Sequence, residues 1–248
     1  LRPHCVGYEA LLWVNGVPFG TFCNKILIND HGNHYCNLIL KEAEVGERVS
    51  VALESYAGHY VMGTAPFEQQ ERPSYQYTYR GAEVCVKNEE IIGFALDLHT
   101  VLQLARALPE PSFRRGALID TLTHVHETVY YDPEAAGRDT FLAALRAARP
   151  YLQEALAVQN ARSAHFAGLI GHSHMDTAWL WHIGETVKKC ARTYSNQMSL
   201  MEQYPEYTFI QSSAYHSEVI RRNYPALFER MQQRVREGRY EPNGGVWV

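Results

Sequence analysis

Apolar and polar positions change rhythm along the chain. Up to about residue 90 the apolar residues come in short runs. Glu9-Ala-Leu-Leu-Trp-Val14 reads as a strand, and Asn15-Gly16 after it is a strong tight-turn signal. Lys25–Ile28 and Cys36–Lys41 are further strand candidates, and Val84-Cys-Val86 is one more. Val49-Ser-Val-Ala-Leu-Glu54 alternates as a half-buried strand does. Short strands divided by Gly, Asn and Asp turns predict a β-sandwich-like arrangement rather than a parallel sheet. Thr64–Thr78, rich in Pro, Gln and Tyr, reads as a long loop.

The period then lengthens. From Ile91 to Leu108 apolar residues follow helical spacing, ended by Pro109. Leu118, Leu122, Val125 and Val129 form a stripe at three- and four-residue steps. Phe141, Leu145, Leu152 and Leu156 form another, interrupted by Pro150, which leaves one helix or two. From Phe166 strands and helices alternate. Phe166–Ile170 reads as a short apolar strand, Glu185–Tyr204 as a helix and Tyr207–Gln211 as a strand. Glu218–Arg222 and Pro225–Glu237 read as helices, with Pro225 near a start and Gly238 at a C-terminal cap. Val246-Trp-Val248 begins a third strand. Repeated β–α units imply a parallel sheet, open or closed into a barrel. The predicted class is α+β multidomain: a β-rich domain over 1–90, a helical connector over 91–163, and β/α units over 164–248.

Composition narrows the function. The 248 residues are 46% hydrophobic and 20% charged, which fits a soluble globular protein. A formal net charge of −4 gives no bulk attraction to nucleic acid or to an anionic membrane, so neither is an expected partner. No apolar run approaches the roughly 20 residues of a membrane helix. The opening LRPHCVGYEA lacks the basic and apolar regions of a signal peptide and an initiator Met, and reads as the start of a trimmed segment. Five scattered cysteines without a CxxC pair read as reduced thiols of a cytoplasmic protein.

The densest chemistry lies in 168–182, GLIGHSHMDTAWLWH. His172, His174 and Asp176 take alternate positions where the first strand of the β/α segment ends. Functional groups gather at the carboxyl ends of parallel strands, and alternate positions of an extended chain share a side. Imidazole and carboxylate both bind divalent metals, zinc at about 2.0–2.2 Å. Trp179 and Trp181 can supply a flat apolar wall for a sugar ring. The spacing alone also suits a helix cap, and His-x-His after a first barrel strand occurs in amidohydrolase-type metal enzymes, with His172 and His174 as the paired ligands.

The longer string is more specific. GLIGHSHMDTAWLW closely resembles the first-strand motif of the class II α-mannosidases, glycoside hydrolase family 38. RTYSNQMSLMEQYPEYTFIQS resembles the family's next helix and strand, and YPALFERMQQRVREGRYEPNGGVWV resembles the segment leading to its nucleophile. The likeness is close over about Phe166–Val248. Upstream it points less specifically to the cytosolic or vacuolar branch.

That resemblance implies the first β/α units of a (β/α)7-barrel-like catalytic domain and a zinc-dependent retaining α-mannosidase acting on terminal α-mannosides of oligosaccharides. It implies one Zn2+ held by two histidines and two aspartates, of which His174 and Asp176 match the first pair, with Trp179 packing on the sugar. His172 is not the matching ligand and is expected to support the site from behind. Trp181 is expected in the core or pocket wall, and Glu241 and Asn243 at a turn or helix end. The family's nucleophilic Asp, which also binds zinc, lies a few residues beyond GGVWV. The second zinc His and the acid/base group follow later. The expectation is that no catalytic residue lies within 1–248, that an Asp follows close behind Val248, that these residues alone release no mannose, and that they hold zinc weakly if at all, since two ligands do not make the usual four-coordinate site. Apolar sheet edges of a barrel cut at this point would be covered by homo-oligomer contacts or by the N-terminal domain. A reading of another class is a non-catalytic carbohydrate-binding or assembly module built on the β-rich part and Tyr75, Tyr77 and Tyr79.

Overall fold

A computed structural model describes residues 1–4, 9–23, 37–56, 78–129, 137–158, 165–179 and 181–247. The strand expected at Lys25–Ile28 lies outside these residues, as does nearly all of the loop expected at Thr64–Thr78. The chain is α+β, with small sheets and six helices among the described residues. It divides into two compact units, Leu1–Cys85 together with Gly168–Val248, and Val86–Ala167.

In the first unit, β1 (Arg2–Pro3) pairs with the later β5 (Ala82–Glu83). β2 (Glu9–Val14) lies between β3 (Val17–Cys23) and β4 (Val51–Tyr56) in an antiparallel sheet. Asn15 (φ 50°) and Gly16 (φ 78°) both adopt the left-handed region that a two-residue hairpin turn requires. Ser50 N–H donates to Asn15 Oδ1 at 2.9 Å, which ties the turn to the approach of β4. β3 has no clean alternation because Pro18 and Gly20 interrupt it. Pro18 is tolerated on an edge strand beside a register shift at Leu12/Trp13, and a Cβ at Gly20 would collide with the buried Asn37 side chain.

Alternation along β2 decides what each face meets. Ala10, Leu12 and Val14 pack with Phe22, Ile39, Val49 and Leu53 on one side. Leu11 and Trp13 face the other, where the cover is a helix. The expected β-sandwich-like arrangement is therefore corrected: among the described residues a helix takes the place of a second sheet. Residues 37–41 of the strand expected at Cys36–Lys41 are not in a strand, and β5 falls before Val84-Cys-Val86 rather than on it.

The second unit is three helices, α1 (Glu89–Ala107), α2 (Phe113–Thr128) and α3 (Arg138–Ala157). Asn88 Oδ1 caps α1 by accepting from Ile91 N–H at 3.0 Å, and Ser112 Oγ caps α2. Phe94, Val101, Leu118, Val125, Leu142, Leu145 and Leu152 form its core. Pro150 sits on the exposed side of α3 and the helix runs through it, so the interrupted stripe is one helix. No helix of the described residues is long and apolar enough to cross a membrane.

The rest of the first unit is β6 (Gly171–His172), α4 (Ile183–Gln203), β7 (Phe209–Ser213), α5 (Ala214–Asn223), α6 (Pro225–Arg236) and β8 (Tyr240–Val246). β6, β7 and β8 form a parallel sheet in that order. Phe166–Ile170 is not the strand. Phe166, Leu169 and Ile170 are exposed, and pairing begins only at Gly171, opposite Phe209. Gly171 is needed there because a Cβ would overlap the Tyr207 ring. β8 starts at Tyr240 rather than Val246, which places Glu241 and Asn243 in the strand and not at a turn. Gly238 (φ 71°) ends α6 as expected.

α4 organises the unit. Cys190, Ala191, Tyr194, Met198 and Met201 lie in one core with Leu11, Phe209, Ile220, Leu227 and Tyr240. Its other buried group is ionic. Arg192 Nε donates to Glu9 Oε2 at 2.8 Å, its second nitrogen binds Glu185 Oε1, and its guanidinium lies 5.2 Å from the Tyr56 ring centroid. Burial pushes the Cys190 thiol up to about 12, so almost no thiolate exists at neutral pH. In native protein treated with a thiol reagent and mapped by mass spectrometry, the exposed Cys85 should label quickly and Cys190 only after unfolding. Rapid native labelling of Cys190 would contradict this packing.

Candidate functional site

The parallel strands set the place. The chain leaving β6 and the end of β7 border a groove of about 440 Å³. His172 through Ala178 line one side, Gln211, Ser212 and Ser213 another, and His216 from the first turn of α5 completes it with Ile183. Ser213 Oγ caps α5 by accepting from His216 N–H at 3.3 Å. That cap fixes where His216 falls.

His174 and Asp176 are brought together, with Nε2 and Oδ1 3.3 Å apart. Both remain open to solvent, the His174 side chain at 84% and Asp176 at 42%. The contact is an ordinary hydrogen bond between the two side chains, and its length is close to the roughly 3.4 Å that separates two donors each about 2.1 Å from a tetrahedral zinc. Asp176 is the one carboxylate among the described residues lining this groove, and no group of three His, Cys, Asp or Glu that could hold a metal occurs among the described residues. His172 lines the same groove at the end of β6 without joining the pair.

The two tryptophans separate in role. Trp179 is exposed and stands edge-on to Trp181, with centroids 6.0 Å apart. Trp181 is held in place: its Nε1 donates to Thr186 Oγ1 at 3.1 Å and Lys189 Nζ sits 4.6 Å from its ring centroid. Trp179 does not line the groove itself, so it is not a wall of it.

Behind the pair sit Gln211 and Thr186, which no sequence motif marks, and His216, expected from the sequence either on the surface or in a structural hydrogen bond and found in the second of these roles. His216 is almost wholly buried, and its Nε2 lies 3.1 Å from Thr177 Oγ1. Desolvation lowers its pKa from 6.5, so the ring is neutral at pH 7. Only the folded state has this depressed value, so protonation favours unfolding and His216 removes stability as pH falls below the ordinary histidine range. Thr186 Oγ1 donates to the Thr177 carbonyl. Gln211 is also buried in the groove floor. The usable sequence signal for Gln211 and His216 is position, at the end of the second parallel strand and the start of its helix.

Gln211 and Ser213 also border a second groove of about 340 Å³ that includes Glu218, Asn243 and Trp247. Glu218 is unsuited to proton transfer there. Arg221 and Arg222 bond its carboxylate and hold its pKa down to about 2.

The groove lies at the carboxyl ends of parallel strands, where ligand sites of β/α folds are built. Residues 165–248 match the family described as "Glycosyl hydrolases family 38 N-terminal domain", and this part of the chain belongs to that family. The chain is 28% identical over 241 residues to Alpha-mannosidase G of Dictyostelium discoideum, covering 97% of this chain and 21% of that protein. It is 32% identical over 176 residues to Alpha-mannosidase 2C1 of Mus musculus, covering 71% of this chain and 16% of that protein. It is 36% identical over 80 residues to an Alpha-mannosidase of Saccharomyces cerevisiae, covering 32% and 7%. The chain thus spans about a fifth or less of these relatives.

Proposed function

We propose that this chain is the N-terminal portion of a zinc-dependent retaining α-mannosidase that hydrolyses terminal α-mannosides of oligosaccharides in the cytoplasm. In this reading β6, β7 and β8 are the first strands of a (β/α)7-barrel-like catalytic domain. The observation that carries it is the His174–Asp176 pair, set close to tetrahedral-edge distance at the carboxyl end of a parallel strand.

His174 Nε2 and Asp176 Oδ1 would hold the zinc, and their donor chemistry fits it. Bound there, zinc supplies a positive centre that attracts and orients sugar hydroxyls, in the manner of a Lewis acid and template. The chain's own part is binding and orientation. Asp176 would give a carboxylate oxygen, His174 an imidazole nitrogen, and Trp179 would offer its face to the apolar side of the sugar ring. A retaining hydrolase needs two further carboxyl groups about 5–5.5 Å apart. Among the described residues the groove lining supplies only Asp176, so the carbohydrate-binding half of the reaction is the part assigned to this segment.

Saturation-transfer NMR with methyl α-D-mannopyranoside tests this reading. Zinc should raise the signal, a chelator should remove it, and Trp179→Ala should weaken it by roughly tenfold, about 1–1.5 kcal/mol of ring contact. Equal signals with zinc and with chelator would contradict it.

A further inference from the structure

The loop after β6 alternates. His174 and Asp176 point to solvent, while the residues between and after them are fastened inward. Met175 packs against the core around α4, with Thr193 Oγ1 3.8 Å from its sulfur. Thr177 is held twice: its hydroxyl lies 3.1 Å from His216 Nε2 on α5, and its carbonyl accepts from Thr186 Oγ1 on α4. Thr186 is itself fixed by Trp181 Nε1 at 3.1 Å. His216 Nδ1 is buried with no partner among the described residues. An orphaned lone pair there costs less than an orphaned N–H, so the proton belongs on Nε2, which donates to Thr177 Oγ1.

We propose that Thr177, gripped from two helices by His216 and Thr186, is the positioning residue that keeps His174 and Asp176 at the separation a divalent cation needs. The inference rests on the zinc reading of that pair. The chemistry is entropic as much as electrostatic. Two exposed side chains on an untethered loop must be ordered when a cation arrives, whereas a loop already pinned at the residue beside Asp176 presents its donors in place. Neither His216 nor Thr186 touches the cation in this arrangement. Each acts through Thr177, one through its hydroxyl and one through its carbonyl. Two independent substitutions therefore report on the same clamp from opposite sides.

The test is zinc titration of the 248-residue chain, followed by NMR of the His174 ring nitrogens. Thr177→Val removes the hydroxyl at nearly constant volume, and Thr186→Val removes the bond to the carbonyl. Each should weaken zinc binding by about tenfold or more, while Thr177→Ser, which keeps the hydroxyl, should stay within about twofold of the parent chain. Thermal unfolding of the zinc-free variants separates this from a folding defect. The Ser form should melt like the parent, while the Thr177→Val form, which orphans the buried His216 N–H, should melt lower yet stay folded at the titration temperature, so that zinc affinities are compared between folded chains. If the parent chain binds zinc and both valine variants bind it equally well, the clamp is refuted and the zinc pair stands. If the parent chain shows no zinc-dependent shift at His174, the pair is refuted and the clamp falls with it.

Discussion

Arg192→Met should lower the stability of the first unit by about 3–5 kcal/mol, the usual cost of leaving buried charge without its partner. Arg192 is 4% exposed, and it is flanked by Glu185 at 7% and Glu9 at 18%. Removing the guanidinium leaves two carboxylates near each other, with Lys189 3.8 Å from Glu9 and Lys188 acting on Glu185 from further off. Methionine matches the stem, so the loss isolates the charge and its hydrogen bonds. The effect is structural at long range in sequence. Arg192 is on α4 and Glu9 on β2, 183 positions apart, and the backbone carbonyl of Arg192 also accepts from Thr21 Oγ1 at 2.6 Å. Urea unfolding read by tryptophan fluorescence is the measurement. All four tryptophans, 13, 179, 181 and 247, lie in this unit, so the signal reports it alone. A loss under about 1 kcal/mol would mean that the cluster is solvated and not a buried junction.

Local sequence signals were legible where a single element carries its own pattern. Glu9–Val14, the Asn15-Gly16 turn, the three connector helices and the helix ending at Gly238 follow from alternation, helical spacing and caps. Pairing was less legible. Phe166–Ile170 has the apolar content of a strand, but a strand needs a neighbour, and the parallel ladder begins at Gly171. β3 was hidden by Pro18 and Gly20, which suit an edge strand and a close approach of Asn37. The helix-for-sheet exchange above β2 could not be read locally, because α4 lies some 170 residues further along the chain. At the site, alternate spacing marked His172, His174 and Asp176 together, and only the family resemblance singled out the last two. Thr177 and Thr186 were not marked, and for His216 the sequence left surface and structural hydrogen bond as alternatives, because a threonine hydroxyl or a buried imidazole acquires its role only from a partner on another element.

The second large effect concerns that pair. His174→Ala or Asp176→Ala removes one of two donors from a site in which the described residues supply only these two. Either substitution should abolish measurable zinc binding by the chain, since a single exposed ligand holds zinc no better than a surface side chain does. His172→Ala should leave binding within about threefold, the size of effect expected of a neighbour that orders but does not ligate. A paired-histidine arrangement of the amidohydrolase type predicts the reverse for His172. The most direct measurement is anomalous diffraction at the zinc edge from crystals of the chain grown with zinc. One anomalous peak within about 2.0–2.2 Å of both His174 Nε2 and Asp176 Oδ1 is the predicted result. A peak bound through His172 and His174 without Asp176, or no peak in the groove at saturating zinc, would contradict the account.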